Sequence, residues 1–160
     1  MCVVPRQRLA PRLNLTVLTT ALVVTALDEV TKAWARSALR AHPRHVWGPL
    51  WLRLQYNSGV SFSFDPSGAL VTTVVTLVVA LVVLVVALQA RPGVASLGFG
   101  LLIGGGVANV VDRLTATPHE VTDFVAVSRF PVFNLADASL SVGFVILVVA
   151  AARGVRLLGS

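Results

Sequence analysis

The chain has 160 residues, of which 56% are hydrophobic and only 12% are charged, and its mean hydropathy is +0.83. Soluble domains carry about 25% charged residues, so this composition excludes an ordinary soluble protein and predicts one integral membrane domain over residues 1–160. The net charge of +6 comes from basic residues scattered around apolar runs, which argues against nucleic acid as a partner and favours membrane lipid with anionic head groups.

The first apolar segment, residues 13–35, is predicted to be a transmembrane span that follows a short basic tail. A crossing needs about 20 residues, so the span has to extend past Asp28 and Lys32 at its exit end. A cleavable secretory signal is the competing interpretation, because Ala33-Trp34-Ala35 resembles a cleavage site. The charges of Asp28, Glu29 and Lys32 between the apolar core and this site disfavour cleavage.

A polar excursion, residues 36–66, is predicted to connect the first span to the second. Lys32, Arg36 and Arg40 recur every four residues, so one helical face would direct all three towards lipid head groups. The aromatic and aliphatic residues from Trp47 to Tyr56 are typical of short strands at a membrane interface. The excursion is therefore expected to contain β-structure.

Three further spans are predicted at residues 67–89, 94–112 and 137–154. The first of these carries no charge, and the second is rich in glycine, which lets helices approach closely in a bilayer. The predicted fold is therefore an all-α membrane protein with four transmembrane helices and a small extracytoplasmic β-containing excursion between helices 1 and 2.

An even number of spans places both termini on the same side of the membrane. The cluster Arg6, Arg8 and Arg12 before the first span favours a cytoplasmic location for them, although the basic residues on the two sides are nearly equal in number. Polar groups at membrane depth tend to face the protein interior or a watery cavity, so those at the opposite face are expected to form one site. They are Asp28, Asn57, Asp112, Arg113, Asp123, Asn134 and Asp137.

Two of these carboxylates, Asp123 and Asp137, are candidates for a pair that shares one proton, since each lies on a segment that enters or leaves the membrane. In such a pair the like charges raise one pKa, so that one carboxylate activates water while the other donates a proton. Asp112 is a weaker candidate, because Arg113 and Asn109 suit a structural ion-pair role. The alternatives remain that Asp137 caps a helix and that Asp123 is a solvated loop acid.

Three other chemistries have weaker support. A metal site would use His42, His45 and His119, but the first two lie in an arginine-rich loop that points to a surface role. A serine nucleophile at Ser58 or Ser61 has no obvious paired base. An ion or proton pathway through Asp28 is the more serious rival, and the uncharged second span argues against it.

Five separated motifs resemble those of the lipoprotein signal peptidases, or signal peptidase II, a family of bacterial membrane aspartic peptidases. They are Asp28 with Thr31-Lys32; Asn57-Ser58-Gly59 with Phe62; Asn109 with Asp112-Arg113; Val121-Thr122-Asp123-Phe124; and Phe133-Asn134-Leu135-Ala136-Asp137. The sequence departs from the family pattern at Glu29, at Ala108 and in the run Gly59-Val60-Ser61-Phe62. None of these departures removes a catalytic group.

The resemblance implies that Asp123 and Asp137 are the catalytic aspartates. It implies that Asp28, Asn57, Asn109, Arg113 and Asn134 line or support the site and that Asp112 helps to hold it. The implied substrates are prolipoproteins cleaved just before a cysteine that already carries diacylglycerol, at the outer side of the bacterial cytoplasmic membrane, with both termini cytoplasmic. The resemblance implies no metal and no cofactor, and we expect a monomer.

Overall fold

The computed structural model describes residues 14–58, 66–116 and 120–159. In chain order the elements are α1 (Leu15–Ala38), β1 (Arg44–Trp47), β2 (Leu50–Asn57), α2 (Pro66–Ala87), α3 (Val94–Thr115), β3 (Val121–Val127) and α4 (Leu135–Ala152). The basic N-terminal tail, the segment from Gly59 to Phe62, and His119 lie outside the described residues.

Helix α3 lies at the centre of the bundle and packs against α1, α2 and α4. Its glycines make this possible, as the sequence predicts. A Cβ atom added at Gly104 would lie 2.7 Å from the carbonyl oxygen of Ala21 in α1, and one added at Gly105 would lie 2.5 Å from that of Ala136 in α4. Both neighbours are backbone atoms, so these two contacts require glycine and bring the helix axes close together.

The three strands form one antiparallel sheet in the order β1-β2-β3. Strand β2 confirms the β-structure expected between Trp47 and Tyr56, and β1 lies just before that range and reaches it only at Trp47. The third strand was not predicted, because it comes from the connection between α3 and α4. The sheet packs on the end of α1, where Phe124 of β3 meets Ala35 and Leu39 and stacks edge-on against Trp34, with ring centroids 6.4 Å apart.

Two of the described helices, α3 and α4, are long and apolar enough to cross a membrane, and a shorter apolar segment runs from Thr73 to Ala87 within α2. Helix α1 has 24 residues but carries Asp28, Glu29, Lys32 and Arg36 in its second half. The fold is therefore mostly helical with a small sheet and two candidate membrane helices.

Candidate active site

Four elements end at the same place and carry the polar residues of the predicted site. Asp28 and Lys32 lie in the second half of α1, Asn109 and Asp112 in the last turns of α3, Asp123 in β3, and Asn134 immediately before α4. All six of these side chains are at most 6% exposed. The site residues predicted from the sequence thus converge at one end of the bundle.

Asn134 connects the two candidate catalytic aspartates. Its Nδ2 donates to Oδ1 of Asp123 at 2.7 Å, and its Oδ1 accepts from the backbone amide of Asp137 at 2.8 Å. Its own backbone amide donates to Oδ2 of Asp137 at 3.2 Å, which completes a capping box at the start of α4. The N-cap of α4 is therefore Asn134, and Asp137 is the third helical residue, so the alternative that Asp137 is itself the N-cap is wrong. The capping box holds the Asp137 carboxylate at the start of the helix.

Asp123 is fully buried, so the alternative that it is a solvated loop acid is wrong. Its second oxygen accepts a hydrogen bond from Nδ2 of Asn57 at 3.0 Å, across the β2–β3 pairing. Burial raises the pKa of Asp123 to about 6; the charge of Asp137 acts in the same direction, and the hydrogen bonds from Asn57 and Asn134 act against it. A carboxyl group with this pKa exchanges its proton near neutral pH.

Lys32 is the cation at the centre of the site, which corrects the expectation that it faces lipid head groups. It is fully buried, and its Nζ lies 2.6 Å from Asp28 Oδ2, 3.0 Å from Asp112 Oδ2 and 3.2 Å from Asn109 Oδ1. These three acceptors match the three protons of the ammonium group. The physical reason is that a charge within an apolar helix is far less costly when it is paired inside the protein than when it faces lipid.

Arg36 belongs to the same cluster. Its Nη1 lies 3.4 Å from Asp112 Oδ1 and donates to the hydroxyl of Thr122 at 3.0 Å, while the amide of Thr122 donates to Asp112 Oδ2 at 2.8 Å. Asp112 therefore pairs with Lys32 and Arg36 and holds the start of β3. Of the three basic residues in the predicted stripe, only Arg40 is exposed.

Asp28 and Asn109 join the helices to the cap of α4. Asp28 Oδ1 accepts the amide of Ala136 at 2.7 Å, and this amide is one of the helix N-terminal donors that lack an intrahelical partner. Asn109 Nδ2 donates to Oδ1 of Asp137 at 2.8 Å. Because Asn109 also accepts from Lys32, it links the buried ion cluster to the aspartate pair.

The other predicted residues occupy different positions around this centre. The half-buried Arg113 is within electrostatic reach of Asp137, Asp123 and Asp112. His42 and His45 are exposed, and His45 contacts the carbonyl of Gly48 at 2.9 Å, as expected for a surface role. Within residues 14–58, 66–116 and 120–159, no group of three or more His, Cys, Asp or Glu side chains is arranged to hold a metal ion.

Sequence reasoning missed Lys32, Arg36 and Thr122 as site residues. One signal was available for Lys32, since Asp28 lies four residues before it and an acid at that spacing is its neighbour on a helix. No comparable local signal exists for Arg36 or Thr122, because their contacts join α1 to a strand about 86 residues further along the chain.

Residues 20–153 match the protein family described as signal peptidase (SPase) II. The lipoprotein signal peptidase of Rhodococcus jostii (strain RHA1) is 34% identical over 152 residues, which cover 91% of this chain and 76% of that protein. The lipoprotein signal peptidase of Chlorobium phaeobacteroides is 31% identical over 146 residues, which cover 81% of this chain and 86% of that protein. The lipoprotein signal peptidase of Mycobacterium leprae (strain Br4923) is 36% identical over 148 residues, which cover 88% of this chain and 73% of that protein.

A solved bacterial membrane enzyme has the same fold, with a TM-score of 0.77 over 85% of this chain and 92% of that chain at 22% identity. A second has a TM-score of 0.75, with 86% and 88% covered. The family match and the two apolar helices α3 and α4 support a membrane location, and the sequence matches confirm the resemblance drawn from the five motifs. The chain belongs to the signal peptidase II family and is similar over most of its length to lipoprotein signal peptidases.

Proposed function

We propose that this lipoprotein signal peptidase is an aspartic endopeptidase in which Asp123 and Asp137 activate water together. The observation that carries the proposal is the position of Asn134, whose carboxamide is hydrogen bonded both to the Asp123 carboxylate and to the Asp137 amide. This arrangement holds two acids side by side at the end of the helices. The raised pKa of Asp123, about 6, supports a pair that retains one proton.

In the proposed reaction, the ionised carboxylate of the pair accepts a proton from water as the water oxygen attacks the scissile carbonyl carbon. The protonated carboxyl donates to the carbonyl oxygen, which gives a tetrahedral gem-diol. The carboxyl that took the proton from water then donates it to the peptide nitrogen, which leaves, while a hydroxyl of the gem-diol returns its proton to the other carboxylate. Asn109, Asn134 and Asn57 keep the two carboxylates in place. Asp28, Lys32 and Asp112 hold the three helix ends on which this geometry depends.

The proposed substrates are prolipoproteins with a diacylglyceryl-modified cysteine, cut just before that cysteine. Two features support this choice beyond the names of the relatives. Apolar side chains cover the outer faces of the helices near the site, as with Val30, which is 66% exposed and gives acyl chains a surface to pack on. Asn57 is exposed on one side and contacts Asp123 on the other, which leaves room for a peptide to approach the pair from the sheet.

We further propose four membrane spans formed by α1 to α4, with both termini cytoplasmic, the site at the extracytoplasmic face, and a monomer as the active unit. The 24 residues of α1 and the 22 of α2 each extend over more than 30 Å at about 1.5 Å per residue. Trp47, which is 78% exposed at the tip of the sheet, fits the head-group region at the site end. A cysteine placed at Arg129 in a Cys2→Ser background should react with a membrane-impermeant thiol reagent added to intact cells. Labelling only after cell lysis would show the opposite topology, with the site end at the cytoplasmic face.

The test of the chemistry compares Asp123→Asn and Asp137→Asn with Glu120→Gln. Glu120 is a half-buried acid three residues before Asp123, and its carboxylate forms no ion pair with the described residues. We expect both aspartate variants to insert normally and to lose cleavage of a lipid-modified precursor, measured as the mass shift on a gel, while Glu120→Gln cleaves at the normal rate. Normal cleavage by either aspartate variant would refute the proposed pair.

A further inference from the structure

The end of the bundle opposite the aspartates contains an apolar groove between α3 and α4. The groove has a volume of about 310 Å³ and is lined by Val94, Val145, Ile146, Val149, Ala150, Arg153 and Val155. Every lining side chain except Arg153 is aliphatic. Val145, the lining residue of α4 nearest the site, lies 11 residues (145 − 134) after Asn134, or about 16 Å at 1.5 Å per residue, and no residue of the peptidase site lines the groove.

The chain builds this groove through the way in which α4 ends. The amide of Val155 donates to the carbonyl of Ala150 at 3.0 Å and that of Gly154 to the carbonyl of Ala151 at 2.9 Å, with φ of +74° at Gly154. This pair of hydrogen bonds is a Schellman motif, which reverses the chain so that Val155 returns beside Ala150. Arg153, the C-cap residue that follows the helix, lines the groove at this end.

The segment that follows is fastened to the turn between α2 and α3. The amide of Arg91 donates to the carbonyl of Leu157 at 2.9 Å, and the amide of Gly159 donates to the carbonyl of Gln89 at 2.7 Å. The guanidinium of Arg91 also donates to the carbonyl of Leu158 at 3.1 Å. These bonds fix the wall that Val155 contributes and place Arg91 at the same end of the bundle as Arg153.

The two ends of the bundle differ in their acidic residues. The acidic residues within the described ranges lie in or beside the peptidase site: Asp28, Glu29, Asp112, Glu120, Asp123 and Asp137. The groove end carries Arg91, Arg153 and Arg156, and in the described part of the chain neither Arg153 nor Arg156 forms an ion pair. The helix dipole favours an arginine at the end of α4, but it does not explain an adjoining apolar groove.

We propose that this groove binds an anionic phospholipid, with one acyl chain along Val145, Ile146 and Val149 and the phosphate at Arg153. The aliphatic groove with the exposed guanidinium of Arg153 complements a molecule that has an apolar chain attached to a negative head group. A peptide partner is disfavoured, since Arg153 is the one polar side chain in the lining and backbone amides would be left without acceptors. The lipid stabilises the packing of α3 against α4 from the end remote from catalysis.

Native mass spectrometry of the purified full chain tests this proposal. The protein is titrated with phosphatidylglycerol or with phosphatidylcholine of the same acyl chains, and lipid retained per protein is counted. We expect phosphatidylglycerol to be retained preferentially. An arginine near a head group contributes about 1 kcal/mol, so Arg153→Gln should weaken phosphatidylglycerol binding about fivefold.

The matched control is Arg129→Gln, which removes the same charge from an exposed arginine at the site end. It should bind phosphatidylglycerol as the unmodified chain does. A second variant, Val149→Trp, fills the groove from a side chain that is 40% exposed and should lower retention without removing charge. Equal retention of the two lipids, an equal loss in Arg129→Gln and Arg153→Gln, or full retention by Val149→Trp would each overturn the proposal.

Discussion

Replacing Lys32 with methionine tests whether the buried ion cluster holds the site together. Methionine has a similar length and suits an apolar helix, so the change removes the charge with little loss of packing. In the native protein, the formal charges of Asp28 and Asp112 balance those of Lys32 and Arg36. In Lys32→Met the two carboxylates are left with Arg36 as their cation, and of the two Arg36 pairs only with Asp112.

The expected cost follows from the burial of the groups that lose their partner. Asp28 is 0% exposed and Asp112 is 2% exposed, so neither can recover hydration. Removing one member of a buried ion pair destabilises a protein by about 3–5 kcal/mol. Domains of this size change their melting temperature by about 2–4 °C per kcal/mol, so the melting temperature of Lys32→Met should fall by about 6–20 °C.

The assay is thermal unfolding of the purified protein in detergent, followed by tryptophan fluorescence. Arg40→Met is the matched control, because it removes the same charge from the exposed end of the same sequence stripe and should change stability by less than about 0.5 kcal/mol. Adding Asp28→Asn to Lys32→Met restores neutrality and keeps an oxygen for the Ala136 amide, so it should recover part of the loss. If Lys32→Met melts like Arg40→Met, or if Asp28→Asn worsens it, the cluster does not have the role described.

Three further predictions concern the aspartate pair and the helix packing. The pKa of Asp123 is raised to about 6, and the reaction requires one proton on the pair. We therefore expect kcat/KM to fall about tenfold per pH unit above pH 6. A kcat/KM that rises from pH 6 to pH 8 would contradict this. Asn134→Ala removes the link between the two acids and should lower kcat about a hundredfold in a precursor-cleavage assay. The loss of the helix cap should lower the free energy of unfolding by about 1 kcal/mol. An unchanged kcat would show that the link is dispensable. Gly105→Ala should destabilise the bundle by about 1–3 kcal/mol, because its Cβ would lie 2.5 Å from a backbone oxygen of α4. The control Gly106→Ala, whose Cβ would lie 3.7 Å from the Cβ of Ala80, should melt at the normal temperature. Equal melting temperatures of the two variants would show that close packing at Gly105 is not required.

The sequence was informative where the signal is local. The apolar segments predicted α1 to α4 to within a few residues, and the aromatic and aliphatic residues from Trp47 to Tyr56 predicted β2. The polar residues at the ends of these segments were expected at one place, and their positions in the structure confirm that convergence. Span counting alone could predict this, because neighbouring helices that cross the same layer have their ends at the same two faces.

What the sequence could not predict is which polar group pairs with which. Asp112 is followed directly by Arg113, and adjacency suggested that these two form the ion pair. In a helix, adjacent residues point about 100° apart, and Asp112 instead faces Lys32 of α1. Strand β3 was missed for a similar reason, since Val121–Val127 becomes a strand only by pairing with β2, far earlier in the chain.

The partners of the carboxylates divide them into two kinds. Asp28 and Asp112 form ion pairs with Lys32 and Arg36, which gives these two acids a structural role. Asp123 accepts hydrogen bonds from the carboxamides of Asn57 and Asn134, and among the described residues it has no ion pair. A neutral amide orients a carboxylate without fully offsetting the cost of burying its charge, so the pKa of Asp123 stays raised to about 6. Lys32 and Arg36 are paired with the structural acids Asp28 and Asp112, so Asp123, which is proposed to act on water, can hold or release its proton. This is a physical reason for a site with asparagines at its centre and ion pairs around it.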